Sequence, residues 1–187
     1  MRIDLIDSAL EHLRQGRTLL YPTDTIWGIG CDACCRTAVD SIYAIKKRDP
    51  GKAMLVLANE QMISPAIPQI IHDLLHDKRP TTVILPKEML LIPLADNIPA
   101  GDGTVGVRIP HFDFCQSLLA QLGHPIVSTS ANLAGKPSPS CYEEIDPVIK
   151  RLVDYALPND VSFSHSTCGG SRIVKVGTNG IINVIRG

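Results

Sequence analysis

Four cations stand within seven residues at "KKRDPGK" (46–52): Lys46, Lys47, Arg48 and Lys52. A planar, permanently charged guanidinium beside ammonium groups suits polyphosphate oxygens. A solvated helix end, whose cations favour the dipole, would also look like this. "VSTSAN" (127–132) places Ser128, Thr129, Ser130 and Asn132 after an apolar run. Such groups bind a ligand without adding charge, or they build a turn or helix cap. Ser138 and Ser140, on either side of Pro139, continue that lining or cap a helix expected at 141–151. In "YPTDT" (21–25) two threonines flank an acid, and "TVGVRIP" (104–110) carries Arg108. All four segments fall at ends of expected strands. Loops at such ends converge on one crevice in open α/β sheets, so a shared ligand site is the expectation.

Other chemistries are less well supported. The chain has no G-x-x-x-x-G-K-S/T loop, and "GIGCDA" (28–33) lacks both the third glycine and the helix-opening context of a dinucleotide fingerprint. "CDACC" (31–35) contains Cys31-x-x-Cys34 with no second pair at matching spacing, so its thiols are expected to be structural. His72 and His76 stand four apart on an expected helix, with no third ligand assigned. No protein metal site is expected, and no Ser-His-Asp arrangement can be assigned from spacing.

The elements that position these groups follow from periodicity. Ile3, Ile6, Leu10 and Leu13 predict a helix over 3–15 that stops at Gly16. "TLLY" predicts a buried strand, followed by a turn through Gly28 and Gly30. Ala38, Val39, Ile42 and Ile45 predict a helix over 37–47, with "DPG" as the turn after it. Strands are expected at 53–58, 81–85, 104–109 and 125–129, helices at 69–76 and 114–122, and a loop over 92–103. "RIVKV" and "IINVI", joined by "GTNG", predict a hairpin. Interleaved strands and helices predict an α/β fold, a single domain with a mixed sheet flanked by helices.

Composition sets the remaining bounds. At 187 residues the chain suits one domain. A formal charge of −1 and 4% aromatics argue against a basic, base-stacking nucleic-acid surface, so any tRNA contact is expected to be indirect. No secretory leader or membrane span is legible, which makes a cytoplasmic protein the expectation, with six reduced cysteines.

Taken together and in this order, the four segments resemble the threonylcarbamoyl-AMP synthase family, which begins N6-threonylcarbamoyladenosine synthesis on tRNA. The resemblance runs through "YPTDTIWGIG" (21–30), "KKRDPGK" (46–52), "VGVRIP" (105–110) and "STSANLAGKPS" (128–138), and covers about residues 8–186. It implies a twisted sheet curled around a deep, positively lined cavity, in the short single-domain form. The implied activity joins L-threonine, bicarbonate and ATP, with Mg2+ accompanying ATP, to give threonylcarbamoyl-adenylate and pyrophosphate. The implied threonine pocket is Thr23, Arg108, Ser128 and Ser171. The implied ATP side is Lys46, Arg48, Thr104, Ser130, Asn132, Ser138 and Arg186, with Lys46 and Arg48 also taken as catalytic. Lys52 falls where the family's loop closes on its substrates. The product would pass to downstream tRNA threonylcarbamoyl-transfer machinery. Two segments depart from the family pattern, "KRPTT" (78–82) and "SRIVKV" (171–176), the second by placing Lys175 where an acid is usual. The competing expectations are an RNA-binding or ribosome-maturation factor of this fold and a carbamoyl-adenylate-forming domain.

Overall fold

Apolar residues at helical spacing bury one face of α1 (Ile3–Arg14), where Ile6, Ala9, Leu10 and Leu13 meet the core. The computed structural model describes residues 3–49, 51–159, 169–177 and 180–187. Four more helices follow: α2 (Arg36–Lys46), α3 (Gln69–Leu75), α4 (Asp113–Leu122) and α5 (Pro147–Leu152). The strands are β1 (Leu19–Tyr21), β2 (Gly28–Asp32), β3 (Leu55–Leu57), β4 (Thr81–Pro86), β5 (Thr104–Arg108), β6 (Ile126–Ser130), β7 (Tyr155–Ala156), β8 (Arg172–Val176) and β9 (Ile182–Arg186). They form one nine-stranded sheet in the order β7-β1-β2-β6-β3-β5-β4-β8-β9. Three neighbouring pairs are parallel, β1 with β7, β3 with β5 and β4 with β8, and the others are antiparallel. The expected mixed α/β sheet is therefore the observed one.

The sheet has two chemically different faces. Along its middle the register aligns Cys31, Val127, Val56, Val107, Val83 and Val174 in one row across six strands, all fully buried. β-Branched side chains stiff at χ1 suit such a half-pleated, close-packed surface. Because strand side chains alternate, the residues on either side of that row point the other way. Among the residues of that opposite face, Gly28, Ser128, Ser130, Leu55, Gly106, Arg108, Thr82, Ile84 and Ile173 line one cavity. Apolar alternation on one face thus fixes which polar groups converge on the other.

Several elements differ from expectation. Residues 28–32, read as a glycine turn, are strand β2, paired with both β1 and β6. Gly30 is required by close approach: a Cβ there would stand 2.3 Å from the Val127 carbonyl oxygen and 2.8 Å from the Tyr21 ring. The helix expected at 141–151 begins only at Pro147, where Asp146 accepts a hydrogen bond from the Val148 amide as N-cap. β7 was not anticipated, being two residues long. β8 and β9 pair antiparallel as expected, although Thr178 and Asn179 of the "GTNG" turn lie outside the described residues. Cys168 and His165 also lie outside them. Among the described residues, no helix is long and apolar enough to cross a membrane.

Gly30→Ala is expected to lower the urea midpoint markedly, with a loss of about 1–3 kcal/mol or more, because both obstructions are rigid. Gly28→Ala, whose Cβ would meet the rotatable Ser128 hydroxyl at 3.3 Å, should cost less. Equal losses would show that the crossing at Gly30 is not tight.

Candidate functional site

A cavity of about 260 Å3 opens on the polar face of the sheet. Seven residues singled out in the sequence line it: Thr23, Arg48, Arg108, Ser128, Ser130, Ser171 and Arg186. Thr25 and Thr129, from two of the converging segments, also line it, as does Thr82, which was not anticipated. Lys46, Lys52, Thr104, Asn132 and Ser138 do not form part of this lining.

Arg48 reaches the cavity because of the way α2 ends. Lys47 adopts a left-handed conformation, φ 51°, and its amide bonds to the Ala44 carbonyl while the Arg48 amide bonds to that of Tyr43. This cap reverses the chain and separates the two neighbouring cations. Arg48 donates from Nη2 to the Ala53 carbonyl at 2.8 Å. Lys46, expected at the phosphates, instead turns to the end of β6. Its Nζ donates to the carbonyls of Ser130 and Asn132, the latter at 2.7 Å, and stands 3.4 Å from Asn132 Oδ1. Asn132 Oδ1 also accepts from the Ser130 hydroxyl. Lys46 and Asn132 therefore brace the turn that carries Ser130. Burial, and then the charge of Arg48, push the Lys46 pKa down to about 8.

Arg108 occupies the last position of β5 and pairs in the interior with Asp24, the acid of "YPTDT". The side chains are 4% and 8% exposed, so this is a desolvated pair rather than a surface one. The other Asp24 oxygen accepts from the His111 amide at 3.1 Å. The sequence reading gave Asp24 no role and sent the Arg108 charge to a ligand; the structure gives that charge a protein partner. Its one advance signal was an acid held between two threonines directly after a buried strand.

Thr23 likewise has local duties. Its Oγ1 accepts from the amides of Thr25 at 3.1 Å and Ile26 at 3.3 Å, and donates to the Ile26 carbonyl at 2.8 Å. It also lies 2.9 Å from Thr25 Oγ1. The hydroxyl read as a ligand contact builds the turn itself. On the opposite wall, Ser171 Oγ lies 2.8 Å from Thr82 Oγ1, and Arg186 donates from Nε and Nη2 to the Ser171 carbonyl at 3.1 and 2.7 Å. Burial and the nearby Arg108 charge lower the Arg186 pKa.

Thr104 donates to Asp102 Oδ1 at 2.6 Å, and Ser138 and Lys52 are exposed. Lys175, the departure from the family pattern, meets Asp102 at 3.3 Å and is not among the lining residues. Among the described residues, the cavity therefore combines three guanidiniums, Arg48, Arg108 and Arg186, with hydroxyls and no lining carboxylate. Nε of Arg48 and of Arg108 are buried without a partner among the described residues. Such donors are costly to leave unsatisfied, and the site is electrostatically suited to an anionic ligand with several acceptor oxygens. Buried thiols do not supply a nucleophile here. Cys31 and Cys115 have pKa values raised by burial, and the same cause pushes Cys34 up to about 12.

A family profile described as Sua5_yciO_yrdC, telomere recombination, matches residues 11–187. A threonylcarbamoyl-AMP synthase of Stenotrophomonas maltophilia (strain K279a) is 33% identical over 163 residues, which cover 83% of this chain and 86% of that protein. Among solved structures, P. abyssi Sua5 complexed with L-threonine superposes with a TM-score of 0.80 at 24% identity, covering 100% of this chain and 55% of that one. Full-length HypF in its phosphate- and nucleotide-bound form superposes with a TM-score of 0.81 at 24% identity, covering 97% of this chain and 28% of that one. The chain thus spans about half of the Sua5 structure and matches both in fold.

The Lys46 environment gives a signed pH dependence. Its folded pKa, about 8, lies below the ordinary value of 10.5, so between these pH values the unfolded chain binds more protons and the Lys46 contribution to stability rises with pH. The unfolding free energy of wild type minus that of Lys46→Met is expected to grow by about 3 kcal/mol from pH 7.5 to 10.5. A flat difference across that window would mean that the ammonium is held at its ordinary pKa.

Proposed function

The chain belongs to the Sua5–YciO–YrdC family, and on that premise we propose that it is a threonylcarbamoyl-AMP synthase. It would join L-threonine, bicarbonate and ATP, release pyrophosphate and begin threonylcarbamoyladenosine modification of tRNA. The observation that carries this reading is the cavity's lining: among the described residues, three arginines, no carboxylate, and hydroxyls presented from neighbouring strands. Arg48 and Arg186, with Ser130, are assigned to the ATP phosphates. Ser128 and Ser171 are assigned to threonine, beside Arg108 and above the turn organised by Thr23. Lys46 and Asn132 act on ATP through the turn they brace. Thr104, Ser138 and Lys52 are assigned to the rim, where a nucleotide extending from the cavity would meet them.

The chemistry needs little covalent participation by the protein. The threonine amine forms a bond to the carbon of bicarbonate with loss of water, giving an N-carboxylated amino acid. An oxygen of the new carboxylate attacks the α-phosphorus of ATP, and pyrophosphate leaves with the electron pair of the broken P–O bond. The guanidiniums hold the reacting anions together and balance the charge that gathers on the phosphate oxygens, while the hydroxyls orient the small zwitterion. Because no carboxylate lines the cavity among the described residues and Asp24 is engaged by Arg108, the residues fit Mg2+ that would accompany the nucleotide rather than a protein-held ion. When bound in that way it adds further neutralisation of phosphate charge. Transfer to tRNA would fall to separate machinery, in keeping with the near-neutral formal charge.

Purified protein given ATP and bicarbonate is expected to release pyrophosphate only when L-threonine is also present, in step with formation of the labile adenylate. Release that is independent of threonine would overturn the assignment. Steeply salt-dependent RNA binding without turnover would favour the RNA-binding alternative.

The division of the cavity is open to a separate test. Arg48→Ala should weaken ATP binding by about 1.5–3 kcal/mol and affect threonine much less. Ser128→Ala should weaken threonine binding by about 0.5–1.5 kcal/mol and spare ATP. Calorimetric titration of each ligand, with ATP saturating in the threonine runs, measures both; equal shifts in both affinities would refute the division.

A further inference from the structure

The helical His72 and His76 meet, in the fold, a carboxylate remote in sequence. Glu60 lies in a one-turn 3-10 helix (Glu60–Met62) packed next to α3. Its Oε1 stands 3.0 Å from His72 Nε2 and its Oε2 2.6 Å from His76 Nε2. The two imidazole rings stack at 4.3 Å between centroids with 23° between their planes, and both Nε2 atoms face Glu60. One ligand atom from each residue lies within 4.8 Å of the other two.

We infer that Glu60, His72 and His76 form a binding site for a borderline divalent metal ion of the Zn2+, Ni2+ or Co2+ class, through one carboxylate oxygen and two imidazole nitrogens. The donor set is the one such ions prefer over Mg2+ or Ca2+. At metal–ligand distances of about 2.1 Å, neighbouring ligands of a tetrahedral ion are about 3.4 Å apart. Small side-chain rotations bring the three groups to that spacing. His76 Nδ1 stands 2.9 Å from the His72 carbonyl oxygen, the outer-sphere hydrogen bond that places the proton on Nδ1 and leaves Nε2 to the metal. The His72 carbonyl, and then Glu60, raise the His76 pKa, while the hydrogen bonds with the two imidazoles outweigh desolvation and lower that of Glu60.

The three side chains are 61%, 42% and 34% exposed, so an ion can enter and retain water in its remaining positions. They also edge a second cavity of about 160 Å3, whose apolar wall includes Ile63, Ile67, Leu75 and Ile109. None of its lining residues belongs to the arginine-lined cavity. The ion would tie α3 to the 60–62 turn independently of the proposed activity.

The test is titration of the full chain, free of any affinity tag, with Co2+, followed by calorimetry and visible absorption. Wild type should bind one equivalent at this site, with the weak bands of nitrogen and oxygen ligation. His76→Gln and Glu60→Gln, with unchanged circular dichroism, should each weaken that binding by about tenfold or more, since losing a ligand costs at least as much as losing its outer-shell partner. No binding up to millimolar Co2+, or equal affinity in wild type and both variants, overturns the inference. Intense thiolate-to-cobalt absorption with no nitrogen-and-oxygen component does so as well, since it would place the ion at the separate Asp32, Cys34 and His124 cluster.

Discussion

One buried carboxylate holding one buried guanidinium governs how the polar face of this sheet is arranged. Asp24 sits in the loop between β1 and β2, and Arg108 ends β5, which is separated from β2 by β6 and β3 in the sheet. Their pairing, with the His111 amide on the second carboxylate oxygen, draws that loop over the intervening strands. A desolvated ion pair adds little net stability, whereas losing one partner costs about 3–5 kcal/mol. What the pair determines is position. It sets where Arg108 stands and leaves Arg48 and Arg186 as the cavity guanidiniums whose protein partners are backbone carbonyls and a serine hydroxyl.

The same arrangement resolves an apparent conflict between burial and charge. Three arginines stand around one cavity, and the Arg186 pKa is lowered first by burial and then by the Arg108 charge. The fold holds them there by engaging each one locally: Arg48 on Ala53, Arg108 on Asp24, Arg186 on Ser171. These bonds fix the side chains before a ligand arrives, which lowers the entropy lost on binding. Lys46 is used differently. Directed away from the cavity wall, it gathers the carbonyls at the end of β6 and so sets the shape of the Ser130 turn.

Much of the architecture was legible because hydrophobic spacing carries it. Ile6, Leu10 and Leu13 of α1 and Ala38, Val39, Ile42 and Ile45 of α2 bury the faces their periods indicate. β2 was illegible because glycines at 28 and 30 imitate a turn; the Val127 carbonyl and the Tyr21 ring explain Gly30, while Gly28 lies against the Ser128 hydroxyl. The start of α5 was misjudged because Asp146-Pro147, a strong opening signal, lies inside a polar stretch. At the site, the residues that converge were readable as types, but their duties were not. Whether Thr23 serves a ligand or its own turn depends on which amides face it. Whether Lys46 or Arg48 reaches the cavity depends on one left-handed residue between them. Glu60 escaped notice beside His72 and His76 because twelve residues of chain separate it from the nearer one.

The order of the strands also bears on how the protein comes to be folded. The cavity wall takes residues from β2, β3, β4, β5, β6 and β8, and the row of valines beneath it joins residues from 56 to 174. Almost none of these contacts is local, and three of the strand pairs are parallel, so long loops must close before the sheet gains its pairing energy. Topologies of this kind belong to the slow end of the kinetic range for their size. The wall and the valine row also share strands, so neither can be completed without the other. A partly assembled chain would expose unpaired edges and have no cavity, which makes binding competence a late event in folding.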